Sequence, residues 1–304
     1  MSSDDQSQAR AREFCRKARR LRIDVLRPVR THLAGAYQSA FHGPGMAFEE
    51  LRHYEPGDDV RHIAWHVLAR FGVPFVKRFV EERELRLLLV MDVSGSMDFG
   101  SGPRTKRDAA LEAAATLALS AARGGDRVGA MLFGAGGVQT VRPARGERHA
   151  LRVLRAALAL RSDDAQTDVR PALRALGNLR SHSIAVLLSD VQFEPPLWDD
   201  GVRRLLAREA QRHELVAVTV RDPAERTRAP EVILECRDAE SGRAARLDLH
   251  GASGRRLRDE LDERARRTEA VLKSLGIGRV ALDAGEDVIL PLREFFRRRQ
   301  AGAR

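Results

Sequence analysis

Five side chains in this sequence carry oxygen donors at spacings that could hold a hard metal ion. Asp92, Ser94 and Ser96 stand in MDVSGSM, where Gly95 eases a tight turn. One carboxylate and two hydroxyls can therefore face a single point. Thr167 stands in AQTDVRPAL, and Asp190 ends IAVLLSD. Two carboxylates and three hydroxyls suit Mg²⁺ or Mn²⁺. They suit Zn²⁺ poorly, because zinc favours cysteine and histidine. Each piece also has a plainer explanation. Ser94 or Ser96 could cap a following helix, Thr167 or Asp168 could cap the next, and an aspartate at a strand end is common. A lone D-x-S-x-S carries little weight. The convergence of three such motifs, in chain order, is what raises it.

The elements that must position these residues are legible from apolar periodicity. Residues 87–92, 128–133, 138–143, 184–190, 215–220 and 279–283 read as strands, most of them continuously apolar. Helical patterns fill 105–123, 148–160, 168–178, 199–211 and 255–275, and a short helix follows the last strand. Residues 232–236 and 245–249 fit a peripheral hairpin. Continuously apolar strands alternating with helices predict a doubly wound, mostly parallel α/β sheet, covered on both faces. In such a sheet ligands sit at the carboxyl ends of the strands. Asp92 and Asp190 fall at those ends.

Upstream, residues 8–33 read as a basic helix interrupted near Pro28. The stretch that follows is rich in turn signals, Gly43-Pro44-Gly45 and Glu55-Pro56-Gly57-Asp58, and holds Tyr54 and Trp65. It reads as an ordered but irregular module. Two segments follow from this reading, an N-terminal segment at 1–83 and a sheet domain at 84–304. The aromatics of 43–80 are too few for an independent core, so the module is expected to pack on the sheet domain. His62 and His66, four apart with His53 and Asp58 nearby, could ligate a metal on one helical face, although helical histidine pairs often just sit at a surface. Arg52, Arg61, Glu49 and Asp58 are expected to form a buried structural network.

DVSGSM, the threonine of QTD and the aspartate of LLSD together resemble the three-part metal-ion-dependent adhesion site of von Willebrand factor type A domains. The resemblance implies a Rossmann-like fold, with Ser94, Ser96 and Thr167 as metal ligands and Asp92 and Asp190 binding directly or through water. FEELRHYEPGDDVRHIAWHVLARFGVPFVKRFVEERE, running into that motif, is similar to the bacterial family catalogued as domain of unknown function 58. Gly43, Gly45, Phe48, Arg52, Tyr54, Pro56, Gly57, Asp58, Asp59 and Trp65 follow its pattern. Ala64 departs where aspartate is usual. This second resemblance implies a chaperone-like partner of a MoxR-type AAA+ ATPase. An acidic residue of that ATPase or of its client would complete the metal site.

Composition narrows the alternatives. Hydrophobic residues make up 43% and charged residues 32%, as in an ordinary globular protein. The polar N-terminus has no apolar core of a secretory signal, so a cytoplasmic protein without a membrane anchor is expected. Cys15 and Cys236 stand far apart, which argues against disulfides or a thiolate zinc site. The net charge of +10 invites nucleic acid. The arginines are largely interleaved with acids, however, as in RDELDERARRTE, the pattern of a solvated helix face. Lysine occurs only as Lys17, Lys77, Lys106 and Lys273. An enzyme is not expected. Ser94 replaces the second aspartate of the D-x-D-x-T found in aspartate-nucleophile phosphatases, and no phosphate-binding glycine loop stands at a strand–helix turn.

Overall fold

The computed structural model describes residues 46–81, 85–134, 136–160, 167–179, 181–226, 233–237, 244–248 and 251–302. The basic helix expected over 8–33 lies outside them. The chain divides into two compact units that part at Glu84 and Leu85.

The smaller unit is regular where irregularity was expected. β1 (Met46–His53) pairs antiparallel with β2 (Phe75–Glu81), with a bulge between Phe48 and Glu50. Between them run a single 3-10 turn at Val60–His62 and the helix α1 (Trp65–Phe71). The turn-rich composition reflects the connection, not the strands. Gly72 ends α1 at φ 73°, a left-handed conformation that glycine adopts without steric cost. Ala64 is wholly buried and donates its N–H to the Phe75 carbonyl at 2.8 Å, so its side chain meets protein rather than water. His62 closes the 3-10 turn, whereas His66 lies in α1 beyond the extended Ile63. The pair therefore shares no continuous helical face, and the metal arrangement weighed for it does not form. The expected buried network is also corrected. Arg52 donates to Asp58 at 2.5 Å, yet their side chains are 38% and 18% exposed. Arg61 turns outward to Asp59.

The larger unit opens with β3 (Arg86–Asp92), then α2 (Lys106–Arg123), β4 (Arg127–Gly134), β5 (Gly137–Arg145) and α3 (Glu147–Ala159). It continues with α4 (Arg170–Gly177), β6 (Ile184–Ser189), α5 (Asp200–Arg212), β7 (Glu214–Arg221) and the short α6 (Pro223–Arg226). The hairpin β8 (Ile233–Arg237) and β9 (Ala244–Asp248) follows, then α7 (Gly251–Ser274), β10 (Gly278–Asp283) and α8 (Ile289–Gly302). Six strands form one sheet in the order β10-β7-β6-β3-β4-β5. All neighbours are parallel except the edge strand β5. Counted from β3, the order is 3-2-1-4-5-6, the doubly wound arrangement with an antiparallel edge.

Burial explains the apolar runs. Leu87, Leu88 and Leu89 of β3 are all wholly buried, each contributing roughly 1.5–3 kcal/mol relative to exposure. Leu88 and Val90 join Met131 and Phe133 of β4 in a core with Leu173, Leu176, Val202 and Leu206 of α4 and α5. Alternation sends Leu87, Leu89 and Met91 to the opposite face. There α2 packs on the sheet, with alanine at half of its buried positions permitting close approach. Thr105 fixes the start of α2 through a reciprocal capping box with Asp108. At the other end of β4, a Cβ on Gly129 would stand 2.8 Å from the Val141 carbonyl, so only glycine allows the bulged β4–β5 pairing. Among the described residues, no helix is long and apolar enough to cross a membrane.

Candidate metal centre

β3 and β6 are adjacent and parallel, so their carboxyl ends bring Asp92 and Ser189-Asp190 side by side. The Asp92 side chain accepts from the Ser94 amide at 2.9 Å and from the Ser189 hydroxyl at 2.7 Å. Ser94 and Ser96 lie with their Oγ atoms 3.0 Å apart. Ser94 occupies the position before a 3-10 turn at Gly95–Asp98, but its hydroxyl caps nothing. The plainer capping explanation thus fails for Ser94. Thr167 precedes α4, and its carbonyl accepts from the Glu194 amide at 3.0 Å, tying its loop to the segment after β6. Asp168, not Thr167, bonds the first turn, accepting from the Arg170 amide. Thr167 Oγ1 is buried and has no hydrogen-bond partner.

The turn beyond β6 is tight. Val191 has φ 62°, rare for a β-branched residue. Its amide donates to Ser189 Oγ at 2.8 Å, and the next amide, of Gln192, donates to Asp190 Oδ1 at 3.1 Å. The second Asp190 oxygen accepts from Lys106 Nζ at 2.6 Å, and the same ammonium reaches Glu225 of α6 at 2.9 Å. Lys106 is 2% exposed.

Electrostatics follow from this crowding. Burial, and then the neighbouring Asp190 charge, push the Asp92 carboxyl up to about 6, against hydrogen bonds from Ser94 and Ser189. Burial acts to lower the Lys106 pKa. The charges and hydrogen bonds of Asp190 and Glu225 outweigh it and hold the ammonium above its ordinary value.

The donor set fits a divalent cation on two observations. First, the Thr167 hydroxyl is an unsatisfied buried acceptor, which normally costs about 1–3 kcal/mol. Second, Asp92 is buried beside the Asp190 charge, a like-charge crowding that a bound cation would relieve. Among the described residues, no group of three or more His, Cys, Asp or Glu side chains could hold a metal. Any site here would therefore need the hydroxyls of Ser94, Ser96 and Thr167 beside its two aspartates.

Several residues of the centre were not singled out from the sequence. Arg107 braces the serine loop, donating to the Val93 carbonyl at 2.9 Å and pairing with Asp98 at 2.8 Å. Asp222 accepts from the amide and hydroxyl of Ser101. Glu225 stands on a helix of four residues, too short for periodicity to reveal. Lys106 left one trace, being a lysine in a chain that otherwise uses arginine almost throughout. A cleft beside Asp190 and Glu225 is lined further by Arg221, Arg264 and Arg279.

The sequence matches the family described as Protein of unknown function DUF58 over residues 50–271. It is 33% identical over 295 residues to the uncharacterised Mycobacterium bovis protein Mb1516, covering 94% of this chain and 89% of that relative. The Mycobacterium tuberculosis protein Rv1480 matches to the same extent. Among solved structures, BatB from Bacteroides thetaiotaomicron is similar at TM-score 0.42 and 12% identity, covering 71% of this chain and 99% of that one. The SpRpn10 VWA domain is similar at TM-score 0.40 and 12% identity, covering 70% and 94%.

Proposed function

This chain belongs to the DUF58 family, and from that premise we propose that it is a non-enzymatic, metal-dependent protein-interaction module. The observation that carries this reading is the buried Thr167 hydroxyl without a partner, in a loop tied to the segment that follows Asp190. These five residues would hold Mg²⁺ or Mn²⁺. When bound, the ion supplies a positive centre that an acidic side chain of a partner can complete. Both oxygens of Asp190 are engaged by Lys106 and Gln192, and Asp92 is held by Ser94 and Ser189. Carboxylates fixed in this way act as ligands and scaffold rather than as mobile nucleophiles. The family resemblance supports a MoxR-type AAA+ ATPase, or its client, as the partner.

The test is a calorimetric titration of the full chain against a MoxR-type ATPase from the same genome, with and without EDTA. Chelation and the Ser94→Ala/Ser96→Ala double variant should weaken binding comparably. Combining the two should add little, because both remove one contact. Undiminished affinity in EDTA would overturn the metal-dependent reading.

A further inference from the structure

The most heavily buried cation near the candidate centre is Lys106, and nothing in the adhesion-site motif accounts for it. Its ammonium lies 2.6 Å from Asp190 and 2.9 Å from Glu225, with side chains 2%, 1% and 18% exposed respectively. A buried ammonium is costly to desolvate, so it persists only where carboxylates compensate it. The backbone presents it deliberately. Lys106 is the first residue of α2, fixed by the Thr105 capping box, and its own amide donates to the Phe99 carbonyl at 2.9 Å. The ring of Phe99, 45% exposed, stands 5.7 Å from the ammonium.

We propose that Lys106 sets the charge of the metal centre, so that the loaded centre selects an anionic ligand. The inference rests on the metal reading given above. Charge counting shows why Lys106 matters. Lys106 places one positive charge 2.6 Å from Asp190, offsetting part of the carboxylate charge that a dication would otherwise meet. Without the ammonium the loaded group would carry one more negative charge, which strengthens its hold on a dication and weakens its hold on an incoming carboxylate. Lys106 therefore opposes the metal and favours the acidic ligand. Glu225, on the far side of the ammonium, does the reverse. A purely structural ion pair would behave differently, since loosening the loops would weaken both ligands together.

The experiment uses the full chain, Mn²⁺ as the metal and acetate as the anionic probe. Manganese affinity is measured by calorimetry. Acetate affinity is then measured at saturating Mn²⁺, corrected for acetate–Mn²⁺ association in buffer. Lys106→Met should tighten Mn²⁺ on the order of tenfold and weaken acetate. Glu225→Gln, at a more exposed site, should do the opposite and decides the matter should Lys106→Met fail to fold. Manganese binding by Lys106→Met alone, with none by the wild type, would overturn the metal reading of the native protein and the proposal with it. Unchanged affinities, or loss of both ligands in both variants, would overturn it while leaving the metal reading intact. Absence of Mn²⁺ binding in all three proteins would overturn the metal reading itself.

Discussion

Thr167 concentrates the chemistry of the centre in one atom. Its hydroxyl is buried without a hydrogen-bond partner, so in metal-free protein it is a net cost. Thr167→Val keeps the shape and deletes only that hydroxyl. In EDTA the variant should match or exceed the wild type by about 1 kcal/mol in chemical denaturation. In Mg²⁺ it should lose most of the stabilisation the wild type gains. A variant destabilised equally in both buffers would show that the hydroxyl serves packing alone. The five candidate oxygen donors were legible in the sequence because the motif sets Asp92, Ser94, Ser96 and Asp190 at strand ends and Thr167 before a helix. Lys106 and Glu225 were not. A lysine at the start of a helix ordinarily reads as solvated, and only the fold brings residues 106, 190 and 225 together.

At the scale of elements, periodicity located every strand of the six-stranded sheet, since each is a nearly continuous apolar run or an exposed edge. It failed where a neighbouring element decides the conformation. The β1–β2 pair was hidden by the turn residues between its strands, and α6 is too short to show a period. The corner joining α5 to β7 carries a further consequence of burial. Glu209 of α5 is almost wholly buried, one of its oxygens has no hydrogen-bond partner, and Gly177 of α4 leaves room for it. Burial raises its pKa above the ordinary 4.5, against the charges of Arg212 and Arg208. A carboxyl raised in the folded state binds protons more readily there than in the unfolded chain. Its ionised form therefore destabilises the fold above the folded pKa, and the penalty vanishes below 4.5. His213, 3.8 Å away, works in the opposite sense. Burial, and then His182 and Arg212, lower its pKa, so its contribution is lost as pH falls below 6.5. Glu209→Gln should accordingly raise the melting temperature at pH 7.5 and leave it unchanged near pH 4. A drop at pH 7.5 would show that the arginine pairing outweighs burial.

For the whole molecule, the proposed divalent metal site draws on the carboxyl ends of β3 and β6 and the loop before α4. Net charge does not obstruct it. The chain carries +10 overall, but Asp92 and Asp190 place two carboxylates side by side at the strand ends, where a cation would sit. Binding to the folded state alone must raise its stability as the free metal passes the dissociation constant. Thermal unfolding of the wild type and of Asp92→Ala, titrated with Mg²⁺ and Mn²⁺ into the millimolar range, therefore reads metal binding at this site. The wild-type melting temperature should climb with metal concentration and return on adding EDTA, while the Asp92→Ala curve stays flat. Superimposable titrations of the two proteins would contradict the site.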